Sequence, residues 1–309
     1  MGAWRGAGLT RGKRHITGET TLRQMFMTGT IGFRKMNGLG NDFVVLDARA
    51  QKLALSPEVV QAIADRKEGI GCDQLIALEP SDEADLFMRI WNADGGEVGA
   101  CGNAARCVAA LIAREQGRSQ VSIETESGVL GAVVNDDGSA TIDMGAPRFA
   151  WDEIPLATPV PDTQHVEIEG ASDLPAAAMV NVGNPHCLFF VDDIDAYDLA
   201  RLGLALERHP LFPDRANISL VQVIGPDHLN VRTWERGAGL TRACGTAACA
   251  SAVAATRREL VGRKVIVTLP GGDLLIEWRE SDGHVLMTGP YALDYEGTLP
   301  AELLQPVRV

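Results

Sequence analysis

The chain has 309 residues, of which 46% are hydrophobic, and carries a formal net charge of −13 at pH 7. That length predicts two domains, and the composition supplies enough apolar side chains for two cores. The acidic balance excludes a nucleic-acid phosphate surface, which needs a basic face, and no apolar run approaches the ~20 residues of a membrane helix.

Residues 1–30 are basic, with Arg5, Arg11, Lys13, Arg14 and Arg23 against Glu19, and have a poor apolar pattern. They are expected to be a disordered extension. Ile31–Lys35 and Phe43–Asp47 read as strands around a glycine-rich loop that carries Asn41 and Asp42. Ser56-Pro57-Glu58 opens a short helix, with serine as its cap and proline at its first position. Strands follow at Leu75–Leu78 and Asp85–Trp91, then a helix from Asn103 to Glu115 that is small and apolar. Val121–Thr125, Gly131–Val134 and Ala140–Met144 complete a first set of strands, with a hairpin turn at Asn135–Gly138. A Pro-rich, acidic segment at 148–175 reads as the linker and the entry into the second domain. The order then repeats: strands near Val180–Val182 and after Gly183-Asn184, a helix over 198–209, strands at Asn217–Val223 and Asn230–Trp234, a helix over 246–260, and three more strands ending at Thr288.

This repetition has a fixed period. One shift of 143 residues carries Trp91 onto Trp234, Cys101 onto Cys244, Met144 onto Met287, Asn41 onto Asn184 and Gln74 onto Asn217. The period is far too long for a solenoid, so it predicts two copies of one domain. The expected fold is α+β, with two pseudo-symmetric domains, each a curled, mostly antiparallel sheet around a central helix. The active site would lie in the cleft between them.

The motifs at the centre of each copy are WNADGGEVGACGNAARC (91–107) and WERGAGLTRACGTAAC (234–249). Each places a cysteine at the start of a helix. There the first backbone N–H groups lack intrahelical partners and the dipole favours negative charge. A thiol at that end ionises more readily, and a carboxylate can dock on the free N–H groups. Gly102 and Gly245 allow close approach of a ligand, and Asn103 and Thr246 are capping residue types. Two sulfurs facing one α-carbon from opposite sides could invert it: the thiolate removes a proton and the thiol returns one. No lysine stands in a Schiff-base context and no dinucleotide fingerprint is present, so no cofactor is expected. The six cysteines form no CxxC pair and no signal peptide is visible, which favours free thiols in a reducing cytosol.

Eight motifs, NGLGNDF (37–43), GCDQ (71–74), NADG (92–95), ACGNAARC (100–107), GNPH (183–186), ERGAG (235–239), ACGTAAC (243–249) and MTGP (287–290), together resemble the diaminopimelate epimerase family. The resemblance spans roughly residues 31–290. It implies interconversion of LL- and meso-diaminopimelate without pyridoxal phosphate or metal, in lysine and peptidoglycan precursor synthesis, by a cytoplasmic homodimer. Carried over residue by residue, it implies Cys101 and Cys244 as the catalytic pair, with His186 and Glu235 assisting. It implies substrate contacts from Asn41, Gln74, Asn92, Gly102, Asn103, Asn184, Asn217, Glu235, Arg236, Gly245 and Thr246. It also implies that the last strand returns to the first domain, dividing the chain into 31–147 plus 291–309 and 148–290. Departures from the family pattern are Ala104, Ala247 and Leu240. Two alternatives remain at this point: a proline-type racemase, whose substrate has no distal amino-acid end, and a metal module using cysteines with His186, against which the ligand spacing argues.

Overall fold

The computed structural model describes residues 30–300, so the N-terminal extension, apart from Thr30, lies outside the described residues. The first half contains β1 (Thr30–Gly38), β2 (Asn41–Asp47), α1 (Pro57–Ala64), β3 (Gln74–Glu79), β4 (Leu86–Asn92), β5 (Glu97–Val98), α2 (Gly102–Gln116), β6 (Gln120–Thr125), β7 (Gly128–Val134) and β8 (Ser139–Asp143). The second contains β9 (Ala178–Asn181), β10 (Pro185–Phe190), α3 (Leu199–Leu206), β11 (Asn217–Gly225), β12 (His228–Glu235), β13 (Gly239–Leu240), α4 (Gly245–Arg257), β14 (Lys264–Leu269), β15 (Gly272–Trp278) and β16 (Val285–Pro290), and β17 (Ala292–Pro300) ends the described chain. The 143-residue shift maps each element of the first half onto its counterpart in the second, α1 onto α3 and α2 onto α4 included.

Within each half the pairing is mostly antiparallel. The exceptions are parallel pairs at equivalent places, β2 with β3 and β10 with β11, β4 with β6 and β12 with β14. The halves join where β8 pairs antiparallel with β16, setting Ile142 opposite Met287. Each half then sends its exit segment to the other. After β16, β17 runs antiparallel to β1, and after β8, Arg148 exchanges backbone hydrogen bonds with Asn181 at the end of β9.

The central helices are buried because their sequences are small and apolar on nearly every face, as a helix enclosed by a curled sheet requires. Ala104, Ala105, Cys107, Val108, Ala109 and Ile112 of α2 share one apolar cluster with Ala248, Cys249, Ala250 and Val253 of α4. The short helices α1 and α3 cover the outer faces of the sheets in two separate clusters. The Pro-rich segment expected as linker and domain entry packs into the second half: Ile154, Leu156, Val166, Ile168 and Leu174 are buried in the cluster that α3 covers.

The first glycine-rich loop is tighter than its composition predicts. β1 and β2 run to Gly38 and Asn41, leaving only Leu39 and Gly40 between them, with φ of 58° and 80°. Positive φ at both central residues is the turn that matches strand twist in a two-residue hairpin. Leucine at the first of them hides the turn from composition. A Cβ at Gly271 would stand 2.1 Å from the Leu39 carbonyl oxygen, so this hairpin tip is seated on the second half.

Candidate active site

Both central helices begin one residue earlier than the sequence predicts. α2 starts at Gly102 and α4 at Gly245, so the cysteines themselves occupy the cap positions. Cys101 (φ −149°, ψ 109°) and Cys244 (φ −119°, ψ 106°) are extended, and neither helix has a side-chain cap hydrogen bond. Asn103 and Thr246 therefore do not cap. The donors of each first turn stay free for the sulfur and for a ligand. The backbone N–H groups of Ala104 and Asn103 favour the Cys101 thiolate, and those of Ala247, with the Thr246 hydroxyl, favour that of Cys244. Thr246 Oγ1 lies 3.5 Å from Cys244 Sγ.

Burial opposes this. It pushes the Cys101 thiol up to about 11, with the Glu235 charge adding to the rise. It raises Cys244 well above the ordinary thiol value, again with Glu235 adding. One carboxylate thus bears on both sulfurs. Glu235, at the end of β12, is itself raised by burial and by the charge of Asp73, and held back by hydrogen bonds from Thr241 and Cys244. All six cysteines are free thiols.

The amide residues form two groups, one per half. Asn41 opens β2; its Nδ2 donates to Asp73 Oδ2 (3.0 Å), and its Oδ1 accepts from Asn103 Nδ2 (3.2 Å) and lies 3.9 Å from Cys101 Sγ. Gln74 opens β3 opposite Asn92 and donates to its Oδ1 (3.0 Å), while Gln74 Oε1 is buried without a partner. In the second half Asn217 opens β11, where its Oδ1 accepts from the Arg236 backbone N–H (2.8 Å). His186 is wholly buried beside it; its Nε2 lies 2.8 Å from Asn184 Oδ1, and its Nδ1 has no partner among the described residues. Burial, with the nearby Arg236 charge, pulls His186 down to about 3, so the ring is neutral at physiological pH.

His186 thus orders amides in the second half, whereas Glu235 is the group coupled to the sulfurs. The Arg236 guanidinium is exposed and, among the described residues, bonds only the Asp214 carbonyl (2.9 Å), leaving its other donors available to a carboxylate. Leu240 is 49% exposed, so its apolar side chain faces solvent. Among the described residues no group of three or more His, Cys, Asp and Glu is arranged to hold a metal ion, and no helix is long and apolar enough to cross a membrane.

Several residues around the cysteines were given no role by the motifs that contain them. Asp73, in GCDQ, orients Asn41 and is itself held by Arg66 (2.7 Å). Met287, in MTGP, wedges between the two helix starts: a Cβ at Gly102 would meet its Cε at 2.6 Å, and one at Gly245 would meet its Sδ at 2.8 Å. The repeat pairs Met287 with Met144.

Solved structures share this duplicated α+β fold. The structure of a hydroxyproline epimerase from Agrobacterium vitis superposes with a TM-score of 0.62 at 16% identity, covering 88% of this chain and 91% of that one. Sequence comparison is more specific. The diaminopimelate epimerase family model matches residues 33–150 and 178–293, and the chain belongs to that family. Diaminopimelate epimerase of Rhodospirillum centenum is 56% identical over 274 residues (88% of this chain, 93% of the relative), and that of Erythrobacter litoralis is 55% identical over 269 (87% and 97%).

Proposed function

We propose that the protein epimerises LL-2,6-diaminopimelate to the meso isomer without a cofactor, using Cys101 and Cys244 as a thiolate–thiol pair. The observation that carries this reading is the pair of helices that open, uncapped, on a cysteine, with Glu235 acting on both sulfurs. In one direction a thiolate takes the α-proton and the opposite thiol delivers its own to the other face. The reaction is redox-neutral, and each turnover leaves the pair with its protonation exchanged. The raised thiols mean that the resting pair is neutral, so one proton must leave before catalysis. Glu235 is a suitable acceptor, because its own affinity for protons is raised and it takes a hydrogen bond from Cys244.

The free first-turn N–H groups after Gly102 and Gly245 would hold the α-carboxylate and the charge that develops on it in the transition state. The distal amino-acid end needs neutral amides and a cation. Asn41, Gln74, Asn92, Asn103, Asn184 and Asn217, with Thr246, Glu235 and Arg236, supply that chemistry, and His186 keeps the second group of amides oriented. A proline-type substrate would leave Arg236 without a partner. We further infer a cytoplasmic homodimer, built from the two domains 31–147 plus 291–309 and 148–290, with no nucleic-acid or membrane partner. Sedimentation of the purified protein tests the dimer.

The direct test of activity is incubation of the purified protein with LL-diaminopimelate in deuterated water, with no added cofactor. Meso product carrying one deuterium at the inverted α-carbon is expected. Inversion with the original hydrogen retained, or turnover of proline in preference, would overturn the reading.

A further inference from the structure

The largest fully buried side chain among the described residues is charged. Arg106 of α2 is 0% exposed, and no carboxylate lies within ion-pair distance of it among the described residues. A buried cation without a counter-ion is costly unless it does something. Its three contacts point to what that is. Nε donates to the Pro290 carbonyl (3.2 Å), Nη1 faces Met287 Sδ (3.7 Å), and Nη2 donates to Asn103 Oδ1 (3.0 Å). Two of these partners lie on β16, in the opposite half. The third, Asn103, is thereby fixed in one amide orientation, with Nδ2 turned to Asn41 Oδ1 (3.2 Å) and to the Ala243 carbonyl (3.1 Å). Asn41 stands beside Cys101, and Ala243 precedes Cys244.

The repeat gives this residue no counterpart. The shift of 143 sets Cys249 where Arg106 stands in the first half, and Thr246 where Asn103 stands. This buried cation therefore stands on one side only of a site whose cysteine turns are built twice.

We propose that Arg106 is a positioning residue for both cysteine motifs: through Asn103 it locks in place the Asn41 amide beside Cys101 and the Ala243 carbonyl before Cys244, with its uncompensated charge held at the junction of the two halves. The proposal deepens the reading of this site given above and rests on it for the catalytic consequence. The titratable groups facing Arg106 are Cys101 and Cys107 from its own helix and Cys249 from α4. Cys101 itself faces Glu235 from β12, which opposes ionisation, and Arg106, which favours it. The arginine thus offsets part of the charge that Glu235 brings to the sulfur.

The test is the pH dependence of Cys101 alkylation by iodoacetamide, read by peptide mass in the full-length protein without substrate, alongside kcat and KM for LL-diaminopimelate. In Arg106→Gln the alkylation midpoint should rise by about one pH unit, a roughly tenfold loss of rate below it. Arg106→Lys keeps the charge but cannot bond Asn103 and Pro290 together. It should retain the wild-type midpoint while kcat/KM falls about tenfold. A folded Arg106→Gln with the wild-type midpoint overturns the proposal. If that variant does not fold, Arg106→Lys decides: a displaced midpoint, or a wild-type kcat/KM, overturns it equally. Because alkylation needs no turnover, failure of the substrate assignment would show separately, as a wild-type protein that does not epimerise diaminopimelate.

Discussion

Replacing Gly102 with alanine adds one methyl group where the start of α2 meets β16 of the other half. That Cβ would stand 2.6 Å from Met287 Cε and 3.5 Å from Met144 Sδ. Carbon contacts settle at about 3.5–4.0 Å, so something must retreat by about 1 Å. Met287 is fully buried, and its sulfur already faces Arg106, so its tip has little room. Overpacking of this kind costs about 1–3 kcal/mol, against at most ~1 kcal/mol that alanine regains over glycine in a helix. If the helix start yields instead of the methionine, Cys101 moves with it, and a displacement near 1 Å costs roughly 100-fold in rate. Gly102→Ala is therefore expected to lose about 100-fold in kcat for LL-diaminopimelate and ~1–3 kcal/mol in urea unfolding. Met287→Ala in the same chain should return at least part of both. The double-mutant cycle should show a coupling above about 1 kcal/mol, where independent sites add to within about 0.5. Wild-type activity in Gly102→Ala, or strict additivity with Met287→Ala, would refute the wedge.

Glu235→Gln removes the charge that raises both thiols. The alkylation midpoints of Cys101 and Cys244 should fall by about one unit while kcat drops roughly 100-fold or more, since the Cys244 proton loses its acceptor; a midpoint that rises would contradict the assignment. His186 stays neutral down to about pH 3 when folded, but its free value is 6.5. The unfolded chain then binds the extra proton between those values, and stability falls as pH drops through that window. The slope rises from half its limit at pH 6.5 toward ~1.4 kcal/mol per pH unit, so His186→Gln should lose about 1.6 kcal/mol less than wild type between pH 6.5 and 5.0 in denaturant titrations. Equal losses would mean that the ring is charged in the fold. Asp73→Asn frees the Asn41 amide to turn and should cost about tenfold in kcat/KM, with little change in thermal midpoint, as expected for a partly exposed charged pair.

What the sequence disclosed was what repeats or alternates. The period-two strands, the all-apolar central helices and the fixed 143-residue shift are local or translational patterns, and they are enough to place Cys101 and Cys244 at equivalent helix starts. Contacts between the halves escaped. Met287 looks like an ordinary strand methionine until β16 sets it against both glycines, and Asp73 becomes the orienter of Asn41 only because β2 and β3 run parallel. The helix starts were misplaced by one residue because Asn103 and Thr246 are good capping types. Asn103 is instead drawn inward by Arg106 and the second half, a tertiary bond that no propensity foretells. The segment at 148–175 read as a linker because prolines and acids dominate it, while its buried Ile154, Leu156, Val166 and Ile168 are too irregularly spaced to show a period.

The proposed two-sided proton transfer needs two sulfur-bearing turns, and a duplicated domain supplies the same turn twice, at Cys101 and at Cys244. Strict symmetry would also impose a penalty, because two equal thiols facing one carbon have no reason to hold different protonation states. The positions where the halves differ break that equality. Glu235 stands where the first half has Asn92, Thr246 where it has Asn103, and Cys249 where it has Arg106. The second half therefore carries the carboxylate and a hydroxyl beside its sulfur, and the first carries the cation and an amide. Glu235 thus lies on the second half's side of the proposed pair and Arg106 on the first half's, so their charges act unequally on the two sulfurs. On this argument a chain with Arg106→Gln and Glu235→Gln together should approach electrostatic symmetry. Its two alkylation midpoints should lie closer to each other than in wild type, and midpoints that diverge further would show that burial, not charge, sets the difference.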